Sequence, residues 1–249
     1  MNHRYAFETF VVGPCNERAH AAAVALAETA PPSIRPLFIL GAEGCGKTHL
    51  MRAIGHRILE RTRVATVAYL SFEKLGIELV HARGDGTIAG LLARYAKVDV
   101  LLLDDVQSIS YDEAIQEAVL RFLSDFITTG SQLVLTGNGP VAGVVPLIPV
   151  FAKCLQNFNY VEIGLPDFET RLAIVRAKAV GLKAVIPAPV LEFVAMQVTK
   201  NVRQLEGALI RIASEAAVLG RPASLAYAQH VLREASEDDE LMAVHIRPL

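Results

Sequence analysis

The first two thirds of the chain alternate short unbroken apolar runs with longer stretches whose apolar residues recur every three or four positions. The runs are PLFIL (36–40), VATVAYL (64–70), VDVLLLDD (98–105), SQLVLTGN (131–138) and NYVEIGL (159–165). A strand with one wet face alternates apolar and polar residues, whereas a strand covered on both faces has little polar alternation to show. Five such runs separated by helical patterns predict an α/β fold, a parallel five-stranded sheet between helices. From Asp167 the strand signals stop, and helices are predicted over about 167–181, 188–199, 201–218 and 223–235. The punctuation agrees with this. Gly181 can end the first, Pro189 suits a first turn, Asn201 can cap the third and Gly220 can close it. The expected organisation is a nucleotide-fold subdomain over 1–166, a small helical one over 167–235, and a poorly ordered acidic tail over 236–249.

Composition narrows the function classes. About half the residues are apolar and the formal net charge is −2, so a sizeable core is affordable but no broad basic surface advertises duplex DNA or an anionic membrane. The three cysteines, Cys15, Cys45 and Cys154, are widely spaced and odd in number, which argues against a disulfide framework or a zinc site and for a reducing, cytoplasmic setting. The start, MNHRYAFETF, lacks a signal-peptide apolar block, and the apolar runs fall far short of the roughly 18 residues of a membrane span.

Candidate chemistry begins at GAEGCGKT, Gly41 to Thr48, between an apolar run and an amphipathic one. In that setting Gly41, Gly44 and Gly46 let backbone N–H groups curl around phosphate oxygens. Lys47 supplies a cation for the β- and γ-phosphates, and the Thr48 hydroxyl can ligate Mg2+. Glu43, Cys45 and His49 complete the expected cradle, over the positive end of the following helix. That same helix end lowers a thiol's pKa, which raises a redox switch at Cys45; a small tolerated residue is the plainer reading. The second feature is VLLLDDVQ, a strand ending in Asp104 and Asp105, at the sheet edge that carries the glycine loop. Asp104 would hold Mg2+ through water and Asp105 would orient or deprotonate an attacking water; a solvated turn is the alternative. The third is LVLTGN, where Thr136 and Asn138 end a buried strand, so that Asn138 can face a γ-phosphate or simply make a turn before Gly139 and Pro140.

Taken in order, YAFETFVVGPCNERAHAAAVALAE, PLFILGAEGCGKTHLMRAIG, YAKVDVLLLDDVQ, QLVLTGN, PDFETRLAIV and NVRQLEGALIRI resemble the AAA+ ATPase region of the DnaA family of bacterial replication initiators, over about Tyr5 to Leu232. The resemblance implies a P-loop AAA+ fold whose residues 167–235 form a helical lid, ATP or ADP as ligand, and Mg2+. It makes Val11 and Val12 candidate adenine contacts, with ordinary core as the alternative. It also makes Arg203 the lid arginine that reaches the γ-phosphate, with a solvated helix arginine as the alternative.

Three departures modify what is implied. The family's helix-turn-helix domain would need a further stretch after the lid, so recognition of a specific duplex sequence is not expected. The arginine-finger position, counted back from Glu169, holds Cys154 beside Lys153, and a lysine is a poor copy of the bidentate fork, so hydrolysis should be slow. The segment after the paired acids, basic in the family, carries Asp112, Glu113 and Glu117, which weakens any hold on single-stranded DNA.

The expected function is a nucleotide-dependent regulator or accessory factor of replication initiation that docks on another AAA+ subunit, DnaA or a second copy. The regulators of Hda type are comparable, although MNHRYAFE shows no clamp-binding peptide. The alternatives are a helper ATPase for helicase loading or transposition, and an ATP-dependent single-strand binder.

Overall fold

The apolar runs become strands within a residue or three of their expected limits. The computed structural model describes residues 5–29, 35–62, 64–108, 113–128, 130–139, 158–182 and 184–233. Asp112, Lys153, Cys154 and the 236–249 tail lie outside the described residues. The strands are β1 (Leu37–Gly41), β2 (Val67–Ser71), β3 (Val100–Asp104), β4 (Gln132–Asn138) and β5 (Asn159–Ile163). They form one five-stranded sheet in the order β2-β3-β4-β1-β5, every pair parallel. Helices α1 (Glu17–Glu28), α2 (Lys47–Arg61), α3 (Phe72–Gly84), α4 (Ile88–Tyr95) and α5 (Glu113–Thr128) accompany it.

Successive residues of a strand point to opposite faces, so one run feeds two cores. Phe38, Leu40, Leu101, Leu103, Leu133 and Leu135 pack with residues of α3 and α5. Leu37, Ile39, Val100, Leu102 and Val134 pack with Ala19, Ala23 and Leu26 of α1 and Leu50, Met51 and Ile54 of α2. The three inner strands are buried almost throughout. The two outer ones differ from the fully covered expectation: β2 and β5 each have one buried residue out of five. At a sheet edge the flanking helices cover less of each face, so Tyr69 of β2 is 39% exposed.

Strand order and register position the site. β4 lies between β3 and β1, and Gly41 of β1 is level with Asn138 of β4. On the other side Leu103 of β3 is level with Leu135, which sets Asp104 beside Thr136. All three candidate segments therefore leave the same sheet edge, where parallel α/β sheets bind ligands.

The chain divides into two compact units, Met1–Val12 with Asn16–Gly164, and Gly13–Cys15 with Leu165–Leu249. The second contains α6 (Phe168–Val180), α7 (Ala188–Gln197), α8 (Val202–Leu219) and a helical stretch at 225–233. Local chemistry sets their limits. Asp167 caps α6 by accepting from Thr170 N at 2.8 Å, and Asn201 caps α8 by accepting from Gln204 N at 2.7 Å. Pro189 stands in the first turn of α7, Gly220 closes α8 at φ 61°, and Gly181 ends α6 while staying right-handed at φ −82°. Leu172, Val175, Val190, Val194, Leu205, Leu209 and Ile212 are buried in this unit. Arg171 of α6 donates to Ala195 O at the end of α7 at 2.7 Å. Among the described residues no helix is long and apolar enough to cross a membrane.

Candidate phosphate-binding site

The chain leaves β1 through a loop that only glycine accommodates at two points. Gly41 has φ 153°, and a Cβ there would lie 2.5 Å from the carbonyl oxygen of Ile163 and 2.8 Å from Cys45 Sγ. Gly46, left-handed at φ 109°, is the N-cap of α2, and a Cβ there would meet the Phe10 ring at 3.2 Å. The first two residues of α2 are Lys47 and Thr48, so the hydroxyl and the ammonium rise from the helix N-terminus itself.

Lys47 is 5% exposed, and its ammonium donates to Gly41 O at 3.0 Å, Ala42 O at 2.9 Å and Asn138 Oδ1 at 2.8 Å. All three acceptors are neutral. A buried ammonium with no carboxylate among these acceptors is positioned to take an anionic oxygen. Thr48 is half-buried and Glu43 exposed. Cys45 is buried, and desolvation pushes its thiol up despite the nearby Lys47 charge. Burial outweighs the helix N-terminus, which favours the plainer reading of a small tolerated residue over a redox switch.

The acid pair is held by a polar network around β4. Asp104, 3% exposed, accepts from the Thr136 hydroxyl on one oxygen and from Tyr69 OH at 2.9 Å on the other. Burial, and then the Asp104 charge, raise the Tyr69 phenol against the effect of Arg52, which keeps it a donor. Thr136 Oγ1 also accepts from the backbone N of Asp105 at 2.8 Å. Thr136 thus serves the two acids, and it is Asn138 that reaches the loop lysine. Asp105 stands at φ 59°, the one non-glycine residue with positive φ among the described residues, a conformation that costs about 1–3 kcal/mol and persists only where neighbours enforce it.

His49 turns to the leading segment. Its Nε2 lies 3.0 Å from Ala6 O and 3.3 Å from Thr9 Oγ1, and its ring meets Tyr5 and Phe10 edge-on. Arg52, one turn further along α2, sits between the rings of Tyr5 and Tyr69, 4.9 and 4.3 Å from their centroids. Val11 is half-buried and Val12 is 47% exposed. The backbone there is held by buried Asn16, whose Nδ2 donates to Val11 O at 3.1 Å. Arg203 is exposed in the first turn of α8, in the second unit, and Glu117 is exposed on α5.

The first unit thus brings together Gly41, Gly44, Gly46, Lys47, Thr48, Asp104, Asp105 and Asn138. Among the described residues no cluster of three or more His, Cys, Asp or Glu side chains is placed to hold a metal. Were Mg2+ to bind here, the Thr48 hydroxyl would hold it and Asp104 would hold it through water, and the ion would supply charge to neutralise phosphate. Tyr69, Thr136 in its bridging role, Gln107 and Arg52 were not read from the sequence. One signal was available: a hydroxyl inside an otherwise buried apolar strand needs a partner.

Comparison with known proteins is consistent with this geometry. The family described as bacterial DnaA ATPase domain matches residues 1–144. The chromosomal replication initiator protein DnaA of Thermomicrobium roseum is 39% identical over 234 residues, 94% of this chain and 50% of the relative. The chain spans about half the length of the curated relatives it matches. The crystal structure of domain III from the Thermotoga maritima replication initiation protein DnaA is similar at a TM-score of 0.85 and 31% identity, over 94% of this chain and 98% of that one. A structure of the replication initiator DnaA bound to AMPPCP and single-stranded DNA matches at 0.75 and 28% identity, over 85% of this chain and 65% of that one.

Proposed function

The chain belongs to the bacterial DnaA ATPase domain family, and on that premise we propose that it binds ATP and ADP with Mg2+ as a nucleotide-dependent regulator or accessory factor of replication initiation. Its partner in that role is another AAA+ subunit, DnaA or a second copy. One observation carries the nucleotide half: among the described residues the buried Lys47 ammonium donates to three neutral acceptors, at the N-terminus of α2. A phosphate oxygen bonded there pairs the ammonium with an opposite charge, which these acceptors do not supply.

In this reading Gly41 to Gly46 cradle the phosphates, Thr48 and Asp104 hold Mg2+, Asp105 orients or deprotonates water, and Asn138 faces the γ-phosphate. Arg203 responds to that phosphate, so that ATP and ADP favour different populations. Hydrolysis is slow. The relative solved with AMPPCP supports a triphosphate as ligand. Single-stranded DNA, bound by that relative, is a weaker expectation here because Glu117 is exposed on α5 and repels phosphate.

Titration calorimetry with Mg-ATP tests the ligand. Lys47→Ala is expected to weaken ATP binding by about 10- to 100-fold, the equivalent of one charge-assisted contact, while the fold persists. Unchanged affinity in that variant sinks the site assignment. Sizing with ATP, ADP or no nucleotide, alone, with DnaA and with oligo-dT, tests the role. A nucleotide-dependent complex with an AAA+ subunit is expected, and identical elution under every condition rejects the regulator.

A further inference from the structure

Between the acid pair and the strand end carrying Asn138 stands Gln107, the middle residue of the 3-10 turn Val106–Ser108. Its amide makes two bonds of opposite sense. Nε2 donates to Asp105 Oδ1 at 3.0 Å, and Oε1 accepts from the backbone N of Asn138 at 3.1 Å. Chemistry sets the orientation of that amide: a backbone N–H only donates and a carboxylate only accepts, so a flip breaks both bonds. Glutamate would keep the acceptor and, when ionised, lose the donor.

Asp105 needs such a partner. Its left-handed main chain is pinned by its own N on Thr136 Oγ1 at 2.8 Å and by its carbonyl, which accepts from Ser108 N at 2.9 Å. Those bonds fix the backbone. The bond from Gln107 aims the carboxylate. Asn138, at the other end of the amide, accepts from Lys47 through its side chain, so a continuous path runs from Asp105 through Gln107 and Asn138 to the phosphate loop.

Resting on the reading of this site as one for ATP, we propose that Gln107 is a positioning residue for hydrolysis, tying the Asp105 carboxylate to the strand end that bears Asn138. In that step the water oxygen bonds to the γ-phosphorus and the bond to the β–γ bridging oxygen breaks, its electron pair leaving on ADP. The proton of the water passes to the Asp105 carboxylate and on to solvent. Gln107 touches none of the reacting atoms; it acts through Asp105.

The test uses the full chain, single-turnover hydrolysis of Mg-ATP at saturation, and calorimetry on the same samples. Gln107→Leu removes both bonds and is expected to slow hydrolysis about tenfold or more at every pH while leaving the ATP dissociation constant within about twofold. Gln107→Glu nearly preserves shape. It is expected to be slow wherever the introduced carboxyl is ionised and to recover relative to the native chain as pH falls toward the carboxyl's own range, where a proton on it restores the donor. The charged side chains that face this network are Asp104 at the end of β3, Asp105 just after it and Lys47 on α2, so each variant is read against the native chain at the same pH. In an Asp105→Asn background, Gln107→Leu should add less than a further twofold loss.

Native-like rates in folded variants, a pH profile for Gln107→Glu parallel to the native one, or full additivity with Asp105→Asn overturns the proposal. So does a native chain that binds ATP yet shows no single-turnover hydrolysis, which leaves the nucleotide reading standing. A native chain that binds no ATP overturns that reading instead.

Discussion

Thr136→Val is the sharpest perturbation of the acid pair, because it replaces one hydroxyl by a methyl of nearly the same size in a residue with no exposed surface. The hydroxyl makes two bonds, donating to Asp104 and accepting from Asp105 N at 2.8 Å. The first is charge-assisted, about 1.5–3 kcal/mol net, and the second an ordinary one of about 0.5–1.5 kcal/mol. The added methyl returns about 0.8 kcal/mol of apolar burial, so the net loss should be about 1–4 kcal/mol. Asp104, 3% exposed, keeps its bond from Tyr69 OH at 2.9 Å, so its carboxylate is weakened in its hold and not orphaned. Asp105 loses one of the bonds enforcing φ 59° and is released toward an ordinary conformation.

Thermal unfolding followed by circular dichroism is the assay. At roughly 2–4 °C per kcal/mol for a chain of this size, the melting temperature should fall by about 2–16 °C. Thr136→Ser, which keeps the hydroxyl and loses a methyl, is the control and should cost about 1 kcal/mol. A Thr136→Val protein within about 0.5 kcal/mol of the native chain, or a serine variant clearly more damaged than the valine one, refutes the assignment of these bonds as what holds the acids.

Gly41→Ala places a Cβ 2.5 Å from the Ile163 carbonyl at φ 153°, so β5 must shift; a melting temperature lowered by several degrees is expected, and an unchanged one contradicts the loop geometry. Cys45, buried and raised in pKa, should alkylate far more slowly than half-buried Cys15 in native protein, read by peptide mass mapping; equal rates contradict its burial. At acid pH, Asp99 is held low by the Thr66 N–H and hydroxyl, and Asp167 by Thr170. Folded values below the unfolded 3.8 mean their contribution is present above about that pH and fades as pH falls through the folded values. A Tm-against-pH curve for Asp99→Asn with Asp167→Asn should therefore be flatter below pH 4 than the native curve, and superimposable slopes reject this.

The parts of the fold that were legible are those whose causes are local. LFIL, VLLLD and QLVLTG contain no run of polar positions, because both faces of β1, β3 and β4 are covered. Asn201 and Gly220 could be read as caps because capping depends on one side chain or one φ angle. The coverage of β2 and β5 was not legible, since exposure at a sheet edge depends on where strands end up in the order and not on their composition. Nor was the grouping of Gly13–Cys15 with the second unit, which distant contacts decide.

In the site, spacing identified the loop and the acids, but register decided partners. Whether Thr136 or Asn138 points at the loop follows from Gly41 being level with Asn138, which no motif encodes. Likewise Cys45 was expected at an electropositive helix end, and its burial beneath Gly41 is a matter of packing.

The way Lys47 is bonded decides which group a phosphate would displace. An ammonium has three donors, and they are spent on Gly41 O, Ala42 O and Asn138 Oδ1. Two of those acceptors are main chain of the loop itself, and moving them means remaking the turn from β1 to α2. Asn138 Oδ1 ends a rotatable side chain, so it yields at the least cost. A phosphate oxygen brings the ammonium a charge of opposite sign, which the amide oxygen does not, and that favours the exchange. The Asn138 backbone stays where Gln107 and the β1 pairing hold it, so only its side chain turns, and the freed amide carries two N–H donors that can follow the incoming oxygen. A phosphate arriving at α2 therefore acts first on the tip of β4, the same strand whose Thr136 holds both acids.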